Sequence, residues 1–149
     1  MLEIVMLQEF PEAAKFCSDY IESLWEYSHQ ESAAAVNECL HEGNDMPFIL
    51  VAKEGKNLIG VIMTSSKADD VSKKYSPWLQ MLYVKEEFRN KGIGKRLVEA
   101  ACKRMKNLGY PRVYIDTANA SGFYEKLGWK FVEDAKWKSE IVRIFVTAL

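Results

Sequence analysis

Apolar and polar positions along the chain alternate between a period of two and a period of about 3.6 residues, the signatures of strand and helix. Leu2 to Leu7 reads as a short first strand. Pro11 then opens a helix, at a position where its missing N–H costs nothing. Phe16, Tyr20 and Leu24, with Cys17 and Ile21 beside them, give that helix one apolar face. A second, weaker helical pattern runs from Glu31 to His41, with Ala33, Val36 and Leu40 inward and Gly43 as its stop. Phe48 to Lys53 and Leu58 to Ser65 are β-branched runs joined by Glu54-Gly55-Lys56-Asn57, a hairpin signal.

Residues 66–77 are polar and close with Pro77, which predicts a loop. Trp78 to Val84 is the next strand, and Ile93 to Leu108 the longest helix, ended by Gly109 and Pro111. Ile93, Leu97, Ala101, Met105 and Leu108 form its inward stripe, and Cys102 alongside them reads as a small buried hydrophobe. Arg112 to Thr117 is a strand, Ala120 to Leu127 a short helix stopped by Gly128, and Trp129 to Glu133 and Ile141 to Leu149 two further strands. No repeat, linker or low-complexity tract interrupts the series, so residues 1–149 read as one α/β domain.

Composition narrows the class. With 149 residues, 48% hydrophobic and 28% charged, the chain has the profile of a soluble domain that buries roughly two-thirds of its unfolded surface. The longest apolar runs, such as Phe48 to Ala52, are strand-sized, so no membrane span is expected. Glu3 and the absence of a basic lead-in predict no signal or transit peptide. Cys17, Cys39 and Cys102 form no CxxC and no disulfide framework, which suits a reducing cytoplasm. With only His29 and His41 beside them they make no metal set, and no metal is expected.

A net charge of −1 argues against a nucleic-acid binder but conceals an asymmetry. Residues 1–45 hold ten carboxylates and one base, Lys15, for a charge of −9; the remainder carries +8. Two readings stand side by side: solvated faces of ordinary elements, or two regions suited to ligands of opposite sign.

The stretch from Leu82 to Leu97 runs from strand to loop to helix, with Gly92 and Gly94 at the loop's end. The first N–H groups of a helix have no partner within it and act as anion receptors, and glycine lets a phosphate approach them closely. Arg89, Lys91, Lys95 and Arg96 surround this helix start, where positive side chains oppose the macrodipole by about 0.3–1 kcal/mol each. A bound polyanion reverses that sign. Walker A fails here, because Arg89 replaces its first glycine and Arg96 its final hydroxyl. The Rossmann fingerprint fails too, because Leu97 stands where its third glycine belongs.

Arg89-x-x-Gly92-x-Gly94 resembles the Q/R-x-x-G-x-G/A signature of the GNAT superfamily of N-acetyltransferases. Ala120-Ser121-Gly122-Phe123-Tyr124-Glu125-Lys126-Leu127-Gly128-Trp129 is similar to the family's A-x-x-F-Y-x-K-x-G-F/W motif, at the usual distance downstream. The order of elements matches as well, so the resemblance covers essentially the whole chain. It implies a mixed, mostly antiparallel sheet of seven strands flanked by about four helices and splayed at the cofactor strand. It also implies acetyl-CoA as co-substrate, held by Leu82, Tyr83, Val84, Arg89, Asn90, Lys91, Gly92, Ile93, Gly94, Lys95, Asn119 and Phe123. Thr117 stands where the family often has Asn, and either Thr117 or Asn119 is left to take that contact.

The reaction the resemblance implies is direct attack of an amine on the thioester, without an acyl-enzyme. Backbone N–H groups of Leu82 to Val84 would stabilise the oxyanion, and Tyr124 would be the catalytic acid that protonates the leaving thiolate. Glu26 and Asp116 are the candidate bases. Trp25, Glu26 and Tyr27, within the acidic segment, are the expected substrate contacts for a cationic amine such as a polyamine, an aminoglycoside-like sugar or a protein amine. Lys67, Lys73 and Lys74 pull the other way, toward an acceptor bearing an acid group. A non-catalytic acyl-CoA-binding sensor of the same fold is the alternative, a dinucleotide-dependent redox protein a remoter one, and a homodimer through exposed strand edges stays open.

Overall fold

The computed structural model describes residues 1–41, 43, 45–66 and 71–149. One seven-stranded sheet runs in the order β1-β2-β3-β4-β5-β7-β6. The strands are β1 (Glu3–Met6), β2 (Ile49–Glu54), β3 (Asn57–Ser65), β4 (Trp78–Val84), β5 (Arg112–Thr117), β6 (Lys130–Trp137) and β7 (Glu140–Ala148). Every neighbouring pair is antiparallel except β4 and β5. Four α-helices cover it: α1 (Ala14–Trp25), α2 (His29–Glu38), α3 (Ile93–Asn107) and α4 (Ser121–Lys126). The expected architecture is therefore the observed one.

Each face of the sheet has its own core. Leu97, Ala101 and Met105 of α3 pack with Tyr124 of α4 against Leu50, Ile62 and Leu79. Cys17 and Ile21 of α1 and Val36 of α2 pack on the other face against Val51, Val61 and Met81. These are the apolar stripes that the helical spacing predicts, except that Leu24, at the end of α1, is exposed and lines a cleft instead of the core. None of the helices among the described residues is long and apolar enough to cross a membrane.

Local chemistry moves several boundaries. Pro11–Ala13 is a single 3₁₀ turn ahead of α1 rather than its first α-helical turn. α2 begins at His29, not Glu31, because Ser28 accepts from the Glu31 N–H while the Glu31 carboxylate accepts from the Ser28 N–H. It ends at Glu38, well before Gly43: the Gln8 amide donates to the carbonyls of Cys39 and His41 at 3.0 and 2.7 Å, holding that backbone out of the helix. β6 continues to Trp137 rather than stopping at Glu133, since its pairing with β7 runs on to Trp137↔Glu140.

Two irregularities in β4 shape the middle of the sheet. Its register with β3 slips by one residue between Tyr83 and Gln80, a bulge in which Met81 takes a left-handed φ of 56°. Leu79 and Leu82, three apart, consequently pack toward α3, while Met81 and Tyr83 pack toward α1. The second irregularity is a gap. β4 and β5 pair only at Trp78↔Tyr114, with the Tyr114 N–H also donating to the Pro77 carbonyl at 2.9 Å, and beyond this point the strands part.

Candidate functional site

The parted strands open a cleft of about 1180 Å³. β4 from Gln80 to Val84 forms one side and Asp116 to Ala120, after β5, the other. Beyond Trp78 the amides of β4 that face β5 have no strand to donate to, which leaves a row of N–H groups along the cleft.

The N-terminus of α3 stands at one end of the cleft. Gly92 caps it with φ 78°, no side chain caps its first N–H groups, and its first turn contains no acid. Asn90, also left-handed at φ 63°, completes the turn that aims the backbone inward. Gly94 packs beside Phe123 and Leu82, where a Cβ would stand 3.6 Å from the Phe123 ring, so a methyl group there is tolerated. The helix start expected to receive an anion is thus left uncapped. Its positive surroundings are Arg89, Lys91, Lys95 and Arg96; Lys95 also lies 3.9 Å from Glu99, an exposed pair of little consequence for stability.

Of the residues expected from the sequence, Leu82, Tyr83, Val84, Arg89, Asn90, Gly92, Ile93, Gly94, Lys95, Asn119, Phe123 and Tyr124 all line the cleft. Lys91 does not; its ammonium lies 5.7 Å from the Phe88 ring. Trp25 and Tyr27 line the opposite end, their rings 5.6 Å apart. Glu26 does not, because its left-handed backbone (φ 55°) at the end of α1 turns the carboxylate outward to an ion pair with Lys138. No carboxylate of the acidic segment lines the cleft among the described residues. Asp116 and Glu140 do. Lys73 and Lys74 lie off the lining, Lys74 pairing with Glu133 at 3.5 Å, and Lys67 lies outside the described residues.

Two titratable groups meet where the strands diverge. Tyr124 is 8% exposed, wedged among Phe123, Trp129 and Phe145, and its hydroxyl makes no hydrogen bond among the described residues. Burial pushes its phenol well above the ordinary value, and the nearby Asp116 charge adds to this. Burial likewise raises the Asp116 carboxyl. Thr117 shapes the turn into α4, its hydroxyl accepting from the Ala120 N–H at 2.8 Å, whereas Asn119 is exposed at the cleft.

Pattern reading missed Tyr20, Gln80, Trp137 and Glu140, all of which line the cleft. Tyr20 hid in the apolar stripe of α1, where its ring lies 4.7 Å from that of Tyr83. Trp137 and Glu140 sit at the tip of the β6–β7 hairpin and reach the cleft only through tertiary folding. The sequence carried no signal for them beyond an isolated aromatic beside charges.

A sheet opened between two parallel strands, with a basic, uncapped helix N-terminus at the opening, defines an α/β fold with an anion-receiving cleft. The chain belongs to the acetyltransferase (GNAT) family, whose model matches residues 7–129. This family uses acetyl-CoA. An uncharacterized N-acetyltransferase from Chlorobaculum tepidum is 42% identical over 65 residues, a match spanning 44% of this chain and 41% of that protein. A GNAT-family protein from Desulfovibrio desulfuricans superposes with a TM-score of 0.75 at 16% identity, covering 99% of both chains. An aminoglycoside 6'-N-acetyltransferase complexed with coenzyme A gives 0.74 at 20% identity, covering 99% of this chain and 96% of that one. Likeness at this level of identity establishes the fold.

Proposed function

We propose that the chain is an acetyl-CoA-dependent N-acetyltransferase that passes the acetyl group directly to a cationic amine. The observation that carries this reading is the opening of β4 from β5 beside the uncapped start of α3. One cleft thus offers uncapped helix amides and, among the described residues, β4 amides that form no ladder with β5.

The residues fit the co-substrate. The N–H groups of α3, with Arg89, Asn90, Gly92, Ile93, Gly94 and Lys95, suit the pyrophosphate, and Leu82 to Val84, Asn119 and Phe123 suit the pantetheine arm. Bound there, acetyl-CoA supplies an activated thioester. The chain's own groups supply the rest. β4 amides donate to the developing oxyanion. Tyr124, held protonated by burial, donates its phenolic proton to the departing sulfur. Asp116, whose carboxyl burial raises and so makes a stronger base, takes the proton of the acceptor ammonium.

Direct transfer is supported by the thiols. Cys17, Cys39 and Cys102 all lie off the cleft lining, and burial pushes each up to about 12, so none serves as a nucleophile there. A cationic acceptor is supported by the aromatic far end, with Trp25, Tyr27 and Trp137, and by the lining carboxylates Asp116 and Glu140.

Calorimetric titration with acetyl-CoA, with NADH and ATP as controls, tests the cofactor, and thiol release on adding primary amines tests the reaction. Micromolar binding of acetyl-CoA alone with amine-dependent thiol release is expected. Acetyl-CoA binding without release for any amine would favour the non-catalytic acyl-CoA sensor, and no binding would remove the cofactor assignment.

A further inference from the structure

We propose that the rim of the cleft beside Glu26 is a subsite for the second ammonium of a dicationic alkylamine acceptor, filled in the free protein by the chain's own Lys138. The inference rests on the acetyltransferase reading above and names its substrate class.

The Lys138 ammonium shows what this spot recognises. It pairs with the Glu26 carboxylate, lies 3.4 Å from the carbonyl oxygen of Trp25 and sits 5.0 Å from the centre of the Trp137 ring. A carboxylate, a carbonyl and an aromatic face together satisfy the three N–H donors and the charge of a primary ammonium. The partners come from two arms, the end of α1 and the tip of the β6–β7 hairpin, and both backbones are left-handed there, Glu26 at φ 55° and Lys138 at 56°. Trp25 and Trp137 also line the cleft, so an ammonium held here belongs to a molecule that can extend inward.

Lys138 is a replaceable occupant. The side chains of Lys138 and Glu26 are 45% and 74% exposed, and exposed pairs of long side chains are weakly held. Glu140, exposed at the hairpin tip opposite Trp137, also lines the cleft and makes no ion pair among the described residues, and Asp116 lines it beside Tyr124. A linear diamine in this cleft would offer one ammonium to Asp116 for reaction and the other to Glu26.

Linear α,ω-diamines, each compared with the primary monoamine of the same chain length, probe the subsite in the intact chain. Tryptophan fluorescence reads occupancy beside Trp25 and Trp137 without requiring turnover, and thiol release is followed in parallel. The best-fitting diamine should bind about fivefold tighter than its monoamine, the scale of one charge-assisted contact in a partly exposed site. Glu26→Gln should abolish that preference, and Lys138→Gln should tighten the diamine more than the monoamine. Equal binding of the two amines, or a preference that survives Glu26→Gln, overturns the subsite. Diamine preference without thiol release would keep the subsite and remove the transferase reading; thiol release indifferent to the second ammonium would do the reverse.

Discussion

Arg89 donates from Nε to the carbonyl oxygen of Val84 at 2.8 Å, and its guanidinium lies 5.6 Å from the centre of the Tyr83 ring. The first residue of the glycine signature is thus a brace between the end of β4 and the loop that starts α3. It fixes the helix amides relative to the strand amides. Arg89→Gln should weaken acetyl-CoA binding about fivefold, the equivalent of about 1 kcal/mol for a charged hydrogen bond discounted for exposure. Arg89→Lys should not restore it, since an ammonium cannot reproduce the Nε geometry. Calorimetry on the two variants checks both outcomes.

Tyr124→Phe keeps the ring among Phe123, Trp129 and Phe145 and removes only the hydroxyl. Turnover should fall about a hundredfold, the lower range for loss of a positioned acid, with acetyl-CoA affinity and melting temperature little changed. Because burial raises the phenol, the rate should show no alkaline decline from Tyr124 at the ordinary phenol value of 10.0. Steady-state kinetics against pH on wild type and variant measure this.

Asp116 ties reaction rate and stability to pH in opposite senses. Its carboxyl titrates above the ordinary value of 3.8, so between that value and the raised one the native chain binds more protons than the unfolded chain. Stability from this group is full below the ordinary carboxylate range and is lost as pH rises through the native value. Asp116→Asn should therefore stabilise the fold at neutral pH, with the gain vanishing in acid. It should also slow amine acetylation and erase the acid limb of kcat/KM. Denaturant unfolding at several pH values, beside a rate profile, tests the pair.

Two glycines should fail in different ways. A Cβ on Gly60 would stand 2.6 Å from the Tyr83 carbonyl oxygen, a backbone atom that must then move, so Gly60→Ala should cost about 2 kcal/mol and several degrees of melting temperature. Nothing lies within 4 Å of a Cβ on Gly92, but its φ of 78° is strained for alanine by about 1–2 kcal/mol. Gly92→Ala should thus show a smaller loss of stability and a larger loss of acetyl-CoA affinity. Thermal melts and calorimetry separate the two.

How far the sequence could be read depended on whether a feature was local. The strand–loop–helix from Trp78 to Asn107 was legible because glycines, charges and the stripe from Ile93 to Met105 all lie within one stretch of chain. The start of α2 is equally local, written in Ser28 and Glu31, but apolar spacing alone does not register a polar cap. The acceptor end was another matter. Glu26 is flanked in the sequence by Trp25 and Tyr27 while Glu140 sits between Ser139 and Ile141, yet the left-handed turn at Glu26 and the pairing of Trp137 with Glu140 make Glu140 the one that lines the cleft. The bulge at Met81 left no mark, since a methionine at positive φ is dictated by its neighbours and not by its own preference.

That bulge makes β4 a strand whose parity is set by counting. Leu79 and Leu82 share a face only because one residue has been slipped between them, and everything after it is inverted relative to simple alternation. Losing the bulged residue would restore regular pairing with Leu82 still toward α3 and Tyr83 still toward α1, whereas one further residue carried through the pairing would exchange the two sides at a stroke, turning Tyr83 away from α1 and Leu82 away from α3. Hairpin tips elsewhere can drift in length over generations. In β4 the integer itself is inherited.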